Sequence, residues 1–295
     1  MKICAACNQE LPKERFSKKQ WQLKKQRRCK ECIADKREVT LEEAPNDADG
    51  DEGALSWTDE DLFKQPPPNE ECPICLMTLP LEYNYQKYQA CCGKTICLGC
   101  IRAIGKEDRR GLCPFCRSPK ITQDESIGRM KKRAEDNDAA AIYQLGCLYN
   151  RGECGLPQDY GKAHKLWLRA GMLGDARGHY RISCAYLKGK GVDVDTTKAR
   201  QCWEVGAMGG DVLSRYNLGH FEEKERGNVS RAVKHYMIAA GAGHDKSLKA
   251  IRQRFSDGHA TKDDFDKALR AHKEANDEMK SEQREAAAAF YLNKD

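Results

Sequence analysis

The sequence predicts an α-rich multidomain protein: two small metal-stabilised units followed by a solenoid of helical hairpins. Three observations carry that prediction. Twelve of the sixteen cysteines lie before residue 117, most of them in CxxC pairs. From Asp138 to residue 277 the chain repeats itself, with periods of 37, 36 and 34 residues. Charge falls into blocks that separate the units: net +7 over residues 1–40, −10 over 41–71, +5 over 72–120 and +4 over 121–295.

The 295 residues have a mean hydropathy of −0.79. No apolar run approaches the roughly 20 residues that cross a bilayer. The start, Met1 to Cys7, lacks the apolar stretch of a secretory signal. The expectation is an intracellular protein, cytoplasmic or nuclear, with no membrane partner. Disulfides rarely persist there, so metal binding leads as the explanation of the cysteines. All seven histidines lie after residue 160. A metal site in the first 120 residues must therefore be all-cysteine, or recruit a carboxylate or water.

Residues 1–40 form the first unit. Cys4-x2-Cys7-x21-Cys29-x2-Cys32 gives two knuckles, the arrangement that offers tetrahedral Zn²⁺ four thiolates. So short a unit cannot bury enough apolar surface to fold alone, and metal binding supplies its folding energy. Phe16-Ser17, the basic stretch Lys24-Lys25-Gln26-Arg27-Arg28 and the second knuckle resemble the Stc-1-type domain. That resemblance implies a treble-clef-like finger serving as an interaction module. The basic run from Lys18 to Lys30 suits contact with nucleic-acid phosphate, a nuclear-localisation signal or a solvated cationic face.

Residues 41–70 read as an acidic disordered linker, with Asn46 to Gly53 highly charged and Pro66-Pro67-Pro68 a stiff spacer. Trp57 and Leu62-Phe63 are the exceptions. They dock on a neighbouring domain or form a short partner-binding motif.

Residues 71–120 hold eight cysteines: Cys72-Pro73-Ile74-Cys75, Cys91-Cys92, Cys97-x2-Cys100 and Cys113-Pro114-Phe115-Cys116. This spacing resembles the RING finger, whose ligands alternate between two zincs in a cross-brace. The resemblance assigns Cys72, Cys75, Cys97 and Cys100 to one zinc, and Cys91, Cys92, Cys113 and Cys116 to the other. With the first finger, three Zn²⁺ are expected. RING domains usually carry a His in the second pair, where this chain has Lys94. Either Cys91 and Cys92 both ligate, or Cys92 alone does and water completes the site. The resemblance also implies that Ile74, Ile104 and Pro114 contact a ubiquitin-conjugating enzyme. Arg117 takes the place of the cation that bridges that enzyme and ubiquitin. Many active members have Trp where this chain has Ile104.

Residues 130–280 read as helical repeats. Ala163, Ala199, Ala232 and Ala268 align, and four residues after each come Trp167, Trp203, Tyr236 and His272. Glycine and alanine recur where helices cross closely. The pattern resembles the Sel-1-like repeat, a relative of the tetratricopeptide repeat, which implies a solenoid with a protein-binding face. Cys147, Cys154, Cys184 and Cys202 occur singly and fit helix packing. Thr261-x-x-Asp264 is a capping box opening one long C-terminal helix over 261–292, which shields the last hairpin.

Together these features predict a RING-type ubiquitin-protein ligase without a covalent nucleophile of its own. The solenoid recruits a protein substrate or adaptor. The alternatives are a non-catalytic zinc-binding scaffold, and a nucleic-acid-associated adaptor acting through the first finger.

Overall fold

The computed structural model describes residues 2–3, 10–11, 57–107 and 111–291. The chain divides into two compact units, Met1–Ser56 and Trp57–Asp295. In the first, strand β1 (Lys2–Ile3) pairs antiparallel with β2 (Glu10–Leu11), Ile3 opposite Glu10. Cys4, Cys7, Cys29 and Cys32, the basic run and linker residues 41–56 lie outside the described residues.

The second unit opens with a short helix, α1 (Asp59–Phe63). It falls within the stretch read as disordered linker, which is helical here, and the apolar exceptions of that stretch dock on the helices, one of the two outcomes expected of them. Leu62 is only 2 % exposed, buried against Trp203, Ala207 and Leu218, with Trp57 and Phe63 packed beside it. Three apolar side chains supply the burial that the surrounding acidic residues cannot.

A cysteine-rich module follows. Strands β3 (Gln86–Gln89) and β4 (Lys94–Cys97) form an antiparallel hairpin, Gln86 opposite Cys97 and Gln89 opposite Lys94. Its turn places Gly93 at φ 68°, a conformation that costs glycine nothing. Strand β4 runs directly into α2 (Leu98–Glu107). Leu79, Ile96, Cys97 and Cys100 bury a small core of their own with Cys72.

From α3 (Gln123–Glu135) onward the described chain is helical. Four hairpins follow: α4 (Ala139–Arg151) with α5 (Tyr160–Met172), α6 (Arg177–Lys188) with α7 (Thr196–Met208), α8 (Val212–Lys224) with α9 (Val229–Gly241), and α10 (Asp245–Ser256) with α11 (Lys262–Met279). Most of these helices start on a side chain that accepts an otherwise unpaired first-turn N–H. Asp138, Asp159, Asp195, Asp211 and Asn228 each do so. Asp175 instead forms a two-pronged pair with Arg177, at 2.7 and 2.5 Å.

The aromatic column is core. Trp167, Trp203 and Tyr236 are at most 7 % exposed. Close approach makes room for the large rings: a Cβ on Gly146 would lie 2.6 Å from the Trp167 indole, and one on Gly219 would lie 2.8 Å from the Tyr236 ring.

The single C-terminal helix expected over 261–292 is two helices. The Thr261 capping box opens α11, which ends at Met279 and packs on α9 and α10. Lys280 is extended (ψ 141°), and α12 (Glu282–Tyr291) starts afresh. It turns away from the last hairpin to lie along α2 of the cysteine-rich module. The module is thus held between the two ends of the solenoid, with β3 against α4 and α2 against α12. No helix among the described residues is long and apolar enough to cross a membrane.

Candidate metal centres

The two Cys-Pro-x-Cys segments fold alike. In the first, the Leu76 N–H donates to the Cys72 carbonyl at 2.9 Å and the Cys72 N–H to the Met77 carbonyl at 2.9 Å. In the second, the Arg117 N–H donates to the Cys113 carbonyl at 3.0 Å and the Cys113 N–H to the Ser118 carbonyl at 2.8 Å. Each turn closes on a residue in the left-handed region, Leu76 at φ 57° and Arg117 at φ 60°. A side chain rarely adopts that conformation, so two matching instances mark a geometry imposed on the backbone.

These knuckles, the β3–β4 turn and the start of α2 bring eight sulfurs into two clusters. Cys72, Cys75, Cys97 and Cys100 form one, and Cys91, Cys92, Cys113 and Cys116 the other, the sulfurs of each lying within 4.8 Å of one another. The first pairs chain segments 28 and 22 residues apart, Cys72 with Cys100 and Cys75 with Cys97, both at 3.9 Å. The second pairs Cys92 with Cys113 at 3.9 Å and Cys91 with Cys116 at 3.4 Å. Tetrahedral zinc with sulfur at about 2.3 Å separates its ligands by about 3.8 Å. Both pairs of the first cluster and Cys92–Cys113 of the second match that edge, and Cys91–Cys116 is closer. The four pairs alternate between the two clusters along the chain, and Cys91 and Cys92 both lie in the second.

Charge chemistry points the same way. The hydrogen bond to Cys72, with burial, pushes the Cys97 thiol far up; burial pushes Cys100 up to about 12, and burial with bonds to Cys113 and Cys116 raises Cys91. A hydrogen bond from Cys97, assisted by backbone N–H groups of Cys75 and Ile74, holds Cys72 down to about 4. A divalent cation inverts this mutual opposition and lets every thiol ionise. Two four-sulfur clusters of this size can hold metal ions, and the donor set fits zinc.

Two arginines from opposite ends of the solenoid brace the clusters. Arg133 of α3 donates to the carbonyls of Ala90 and Cys91, at 3.0 and 3.1 Å. Arg284 of α12 donates to the carbonyls of Thr78 and Met77, at 2.6 and 3.2 Å, and to the Cys75 sulfur at 3.4 Å. Glycines admit them. A Cβ on Gly93 would lie 2.5 Å from the Arg133 guanidinium, and one on Gly99 would lie 3.0 Å from the Arg284 backbone. Asp138 adds a further link: one carboxylate oxygen caps α4 and the other accepts the Tyr88 hydroxyl of β3 at 3.1 Å.

Of the other residues singled out in the sequence, Ile74 is half-buried against the first cluster's core. Ile104 lies on α2 and Pro114 in the second knuckle, both half-buried. Arg117 directly follows Cys116 at an exposed position. Lys94, where a histidine is usual, sits at the edge of β4 with its ammonium 5.9 Å from the Phe115 ring centroid. Two neighbours escaped sequence reading: Leu76, 71 % exposed, and Phe115, 44 % exposed. Leu76 directly follows the first Cys-Pro-x-Cys segment and Phe115 lies inside the second, and a large apolar residue at each of these positions was the available signal.

The Sel1 repeat family matches residues 139–175, 176–211 and 212–244, so these three hairpins are Sel1 repeats. The hairpin after them is not included in those matches. The chain is 31 % identical over 133 residues to the ERAD-associated E3 ubiquitin-protein ligase component HRD3B of Arabidopsis thaliana. The match covers 45 % of this chain and 20 % of that protein. Among solved structures, a Sel1 repeat protein from Oxalobacter formigenes is 30 % identical with a TM-score of 0.47, covering 54 % of this chain and 66 % of that one. A protective antigen of uropathogenic Escherichia coli with an SLR fold is 19 % identical with a TM-score of 0.43, covering 57 % of this chain and 37 % of that one.

Proposed function

We propose that this chain is a RING-type ubiquitin-protein ligase whose Sel1 repeats recruit a protein substrate or adaptor. The observation that carries the reading is the cross-brace itself: two alternating four-cysteine clusters at zinc-like spacing, with apolar side chains beside both knuckles. Zinc, when bound, supplies the module's folding energy and holds the two knuckles in place. Ile74 and Leu76 on one knuckle, Pro114 and Phe115 on the other, and Ile104 on α2 offer the apolar contact surface for a ubiquitin-conjugating enzyme. Arg117 offers several fixed donors on a backbone already locked by its bond to Cys113, as a cation bridging that enzyme and ubiquitin requires. The chemistry is positioning: a bound thioester is held in its reactive arrangement, and no cysteine of this chain attacks it.

Arg133 and Arg284 give the reading a further element. They fix the module at both ends of the solenoid, so a partner on the repeats is presented to the module in one orientation. The likeness to a protein named as a ligase component supports a ubiquitin-related role and equally suits a second reading, an adaptor inside a ligase assembly. Lys94 and Ile104, which depart from the common RING pattern, favour that second reading.

Polyubiquitin synthesis against a panel of conjugating enzymes separates the two, with zinc measured on the same sample. Ile74→Ala and Arg117→Ala should each abolish synthesis while leaving zinc content unchanged. Undiminished synthesis in both variants would overturn the assigned roles. No synthesis with any enzyme, at full zinc content, would leave the adaptor.

A further inference from the structure

A cavity of about 940 Å³ lies between the cysteine-rich module and the edge of the solenoid, and none of the clustered cysteines lines it. Its solenoid wall is made by the turns between successive hairpins, at Gly174, Gly210 and Gly243, with the starts of the helices that follow and the junction of α11 with α12. The opposite wall is residues 67–70, which lead into the module, and 79–86, which lead into β3. Two contacts hold the walls at this spacing: Pro67 lies 3.5 Å from where a Cβ on Gly210 would sit, and Arg284 bonds to the Thr78 carbonyl.

Many charged groups of the lining are already engaged. Arg177 pairs with Asp175, Asp245 pairs with His272, Asp211 caps α8 and Arg284 serves carbonyls. Six others have side chains that form no hydrogen bond or ion pair among the described residues. Glu70 and Glu82 stand on the module wall. Lys246, Lys249, Lys280 and Glu285 stand on the solenoid wall, a net of two positive charges. Opposite charges thus line the two walls without pairing. Left so, they gain little, because water screens them. A segment lying between the walls engages both.

Successive hairpins stand about one helix diameter apart, so the wall from Gly174 to Gly243 runs about 20 Å. That is the length of about six extended residues. An extended chain sends alternate side chains to opposite sides. Acidic side chains on one side meet the lysines, and basic ones on the other meet Glu70 and Glu82. A segment of a single sign meets like charge on one wall.

We propose that this cavity takes an extended segment of a partner protein in which acidic and basic residues alternate. The inference rests on the reading of the repeats as a recruiting surface and needs no ubiquitin transfer.

The test uses the full chain and four end-blocked fluorescent hexapeptides: lysine alternating with glutamate, three lysines followed by three glutamates, hexalysine and hexaglutamate. At about 0.15 M salt the alternating peptide should bind saturably, and the block peptide of equal composition at least about tenfold more weakly. Lys246→Glu with Lys249→Glu makes both walls acidic. It should weaken the alternating peptide about tenfold and make hexalysine the preferred ligand. Lys131→Glu with Lys132→Glu changes net charge equally on the exposed face of α3, outside the cavity, and should leave the order of preference as it was. No binding of the alternating peptide at about 1 mM would overturn the proposal. So would equal binding of the block peptide, tightest binding of hexaglutamate, or an equal response to the α3 substitutions. A dimer of the unmutated chain that Lys246→Glu with Lys249→Glu separates would assign the cavity to a second copy and overturn it too. Polyubiquitin synthesis measured on the same samples fails separately. Synthesis without peptide binding removes this site and keeps the ligase; peptide binding without synthesis keeps the site and removes the ligase.

Discussion

Arg284 and Cys75 stand 209 residues apart in the chain, yet the guanidinium of one donates to the sulfur of the other at 3.4 Å. The same side chain donates to the carbonyls of Met279, Thr78 and Met77. One residue near the C-terminus thereby fixes the turn that ends its own preceding helix and the knuckle that begins the cysteine-rich module. Removing it takes the donor from the carbonyls of Thr78 and Met279, while Met77 keeps the Cys72 N–H, and costs about 1–3 kcal/mol. An Arg284→Met chain should lose zinc from the first cluster sooner, with affinity down about 10- to 100-fold, the effect usual for an outer-shell donor. Zinc in the second cluster, braced by Arg133, should be unaffected. Competition with a chromogenic chelator reads both, and equal release from the two clusters in the variant would show that the brace does not reach the metal.

Gly99 gives the steric counterpart. It lies in α2, where a Cβ would sit 3.0 Å from the Arg284 backbone nitrogen and 3.1 Å from its Cα. Backbone cannot swing aside as a side-chain end can. Gly99→Ala should therefore push α12 off α2 at about 1–3 kcal/mol, the range for overpacking. Limited proteolysis should cut near Lys280 faster in the variant. An unchanged cleavage rate would mean α12 is held by contacts elsewhere.

Much of this architecture was legible in the sequence because spacing encodes it. CxxC pairs report a turn that aims two sulfurs one way, and the recurring Ala163 and Trp167 columns report which helix faces meet. The braces were not legible. Arg133 and Arg284 are two among 51 Lys and Arg residues. Their roles depend on how far the solenoid curves, which no local pattern states. The break at Lys280 was hidden for a similar reason: nothing in Met279-Lys280-Ser281 forbids helix, and docking on α2 decides against it. Leu62 was visible as an apolar exception, but its pocket comes from two separate helices, α7 and α8. The cysteines of the first finger lie outside the described residues.

Metal removal should separate the two halves of the second unit. The module's small core consists largely of its clustered cysteines with Leu79 and Ile96, whereas the repeat core is built on Tyr143, Trp167 and their neighbours. Chelation should therefore abolish the β3–β4 hairpin and leave most helical circular dichroism intact. Zinc content should be three per full chain, falling to two with Cys4→Ser and Cys29→Ser together. A full collapse of helicity on chelation would show that the solenoid cannot stand without its brace.

Trp167 tests the repeat core. It is 4 % exposed and faces Gly146 across the first hairpin. Truncation to Ala leaves a cavity that the backbone cannot close, at about 3–5 kcal/mol. Urea denaturation should show the midpoint falling with little change in slope. A loss under about 1 kcal/mol would mean the helices re-pack around the gap.

His235 makes a pH prediction whose sign follows from its burial. Enclosure beneath Phe63, with Arg215 and Arg231 adding repulsion, lowers its pKa from 6.5 to about 3. Above pH 6.5 the ring is neutral whether the chain is folded or not, and its contribution is complete. Below that, the unfolded chain takes up a proton that the folded chain refuses until about pH 3. Stability should therefore fall as pH drops through this window, by up to about 1.4 kcal/mol per pH unit. Asp211 works in the opposite sense: burial raises its carboxyl to about 6, so its contribution grows as pH falls from 6 towards 3.8. Comparing variants at each pH cancels that background. His235→Phe keeps a ring against Phe63 and cannot take a proton. Its melting temperature should decline less than that of the unmutated chain between pH 7 and pH 5, and parallel declines would mean that His235 is protonated within the fold.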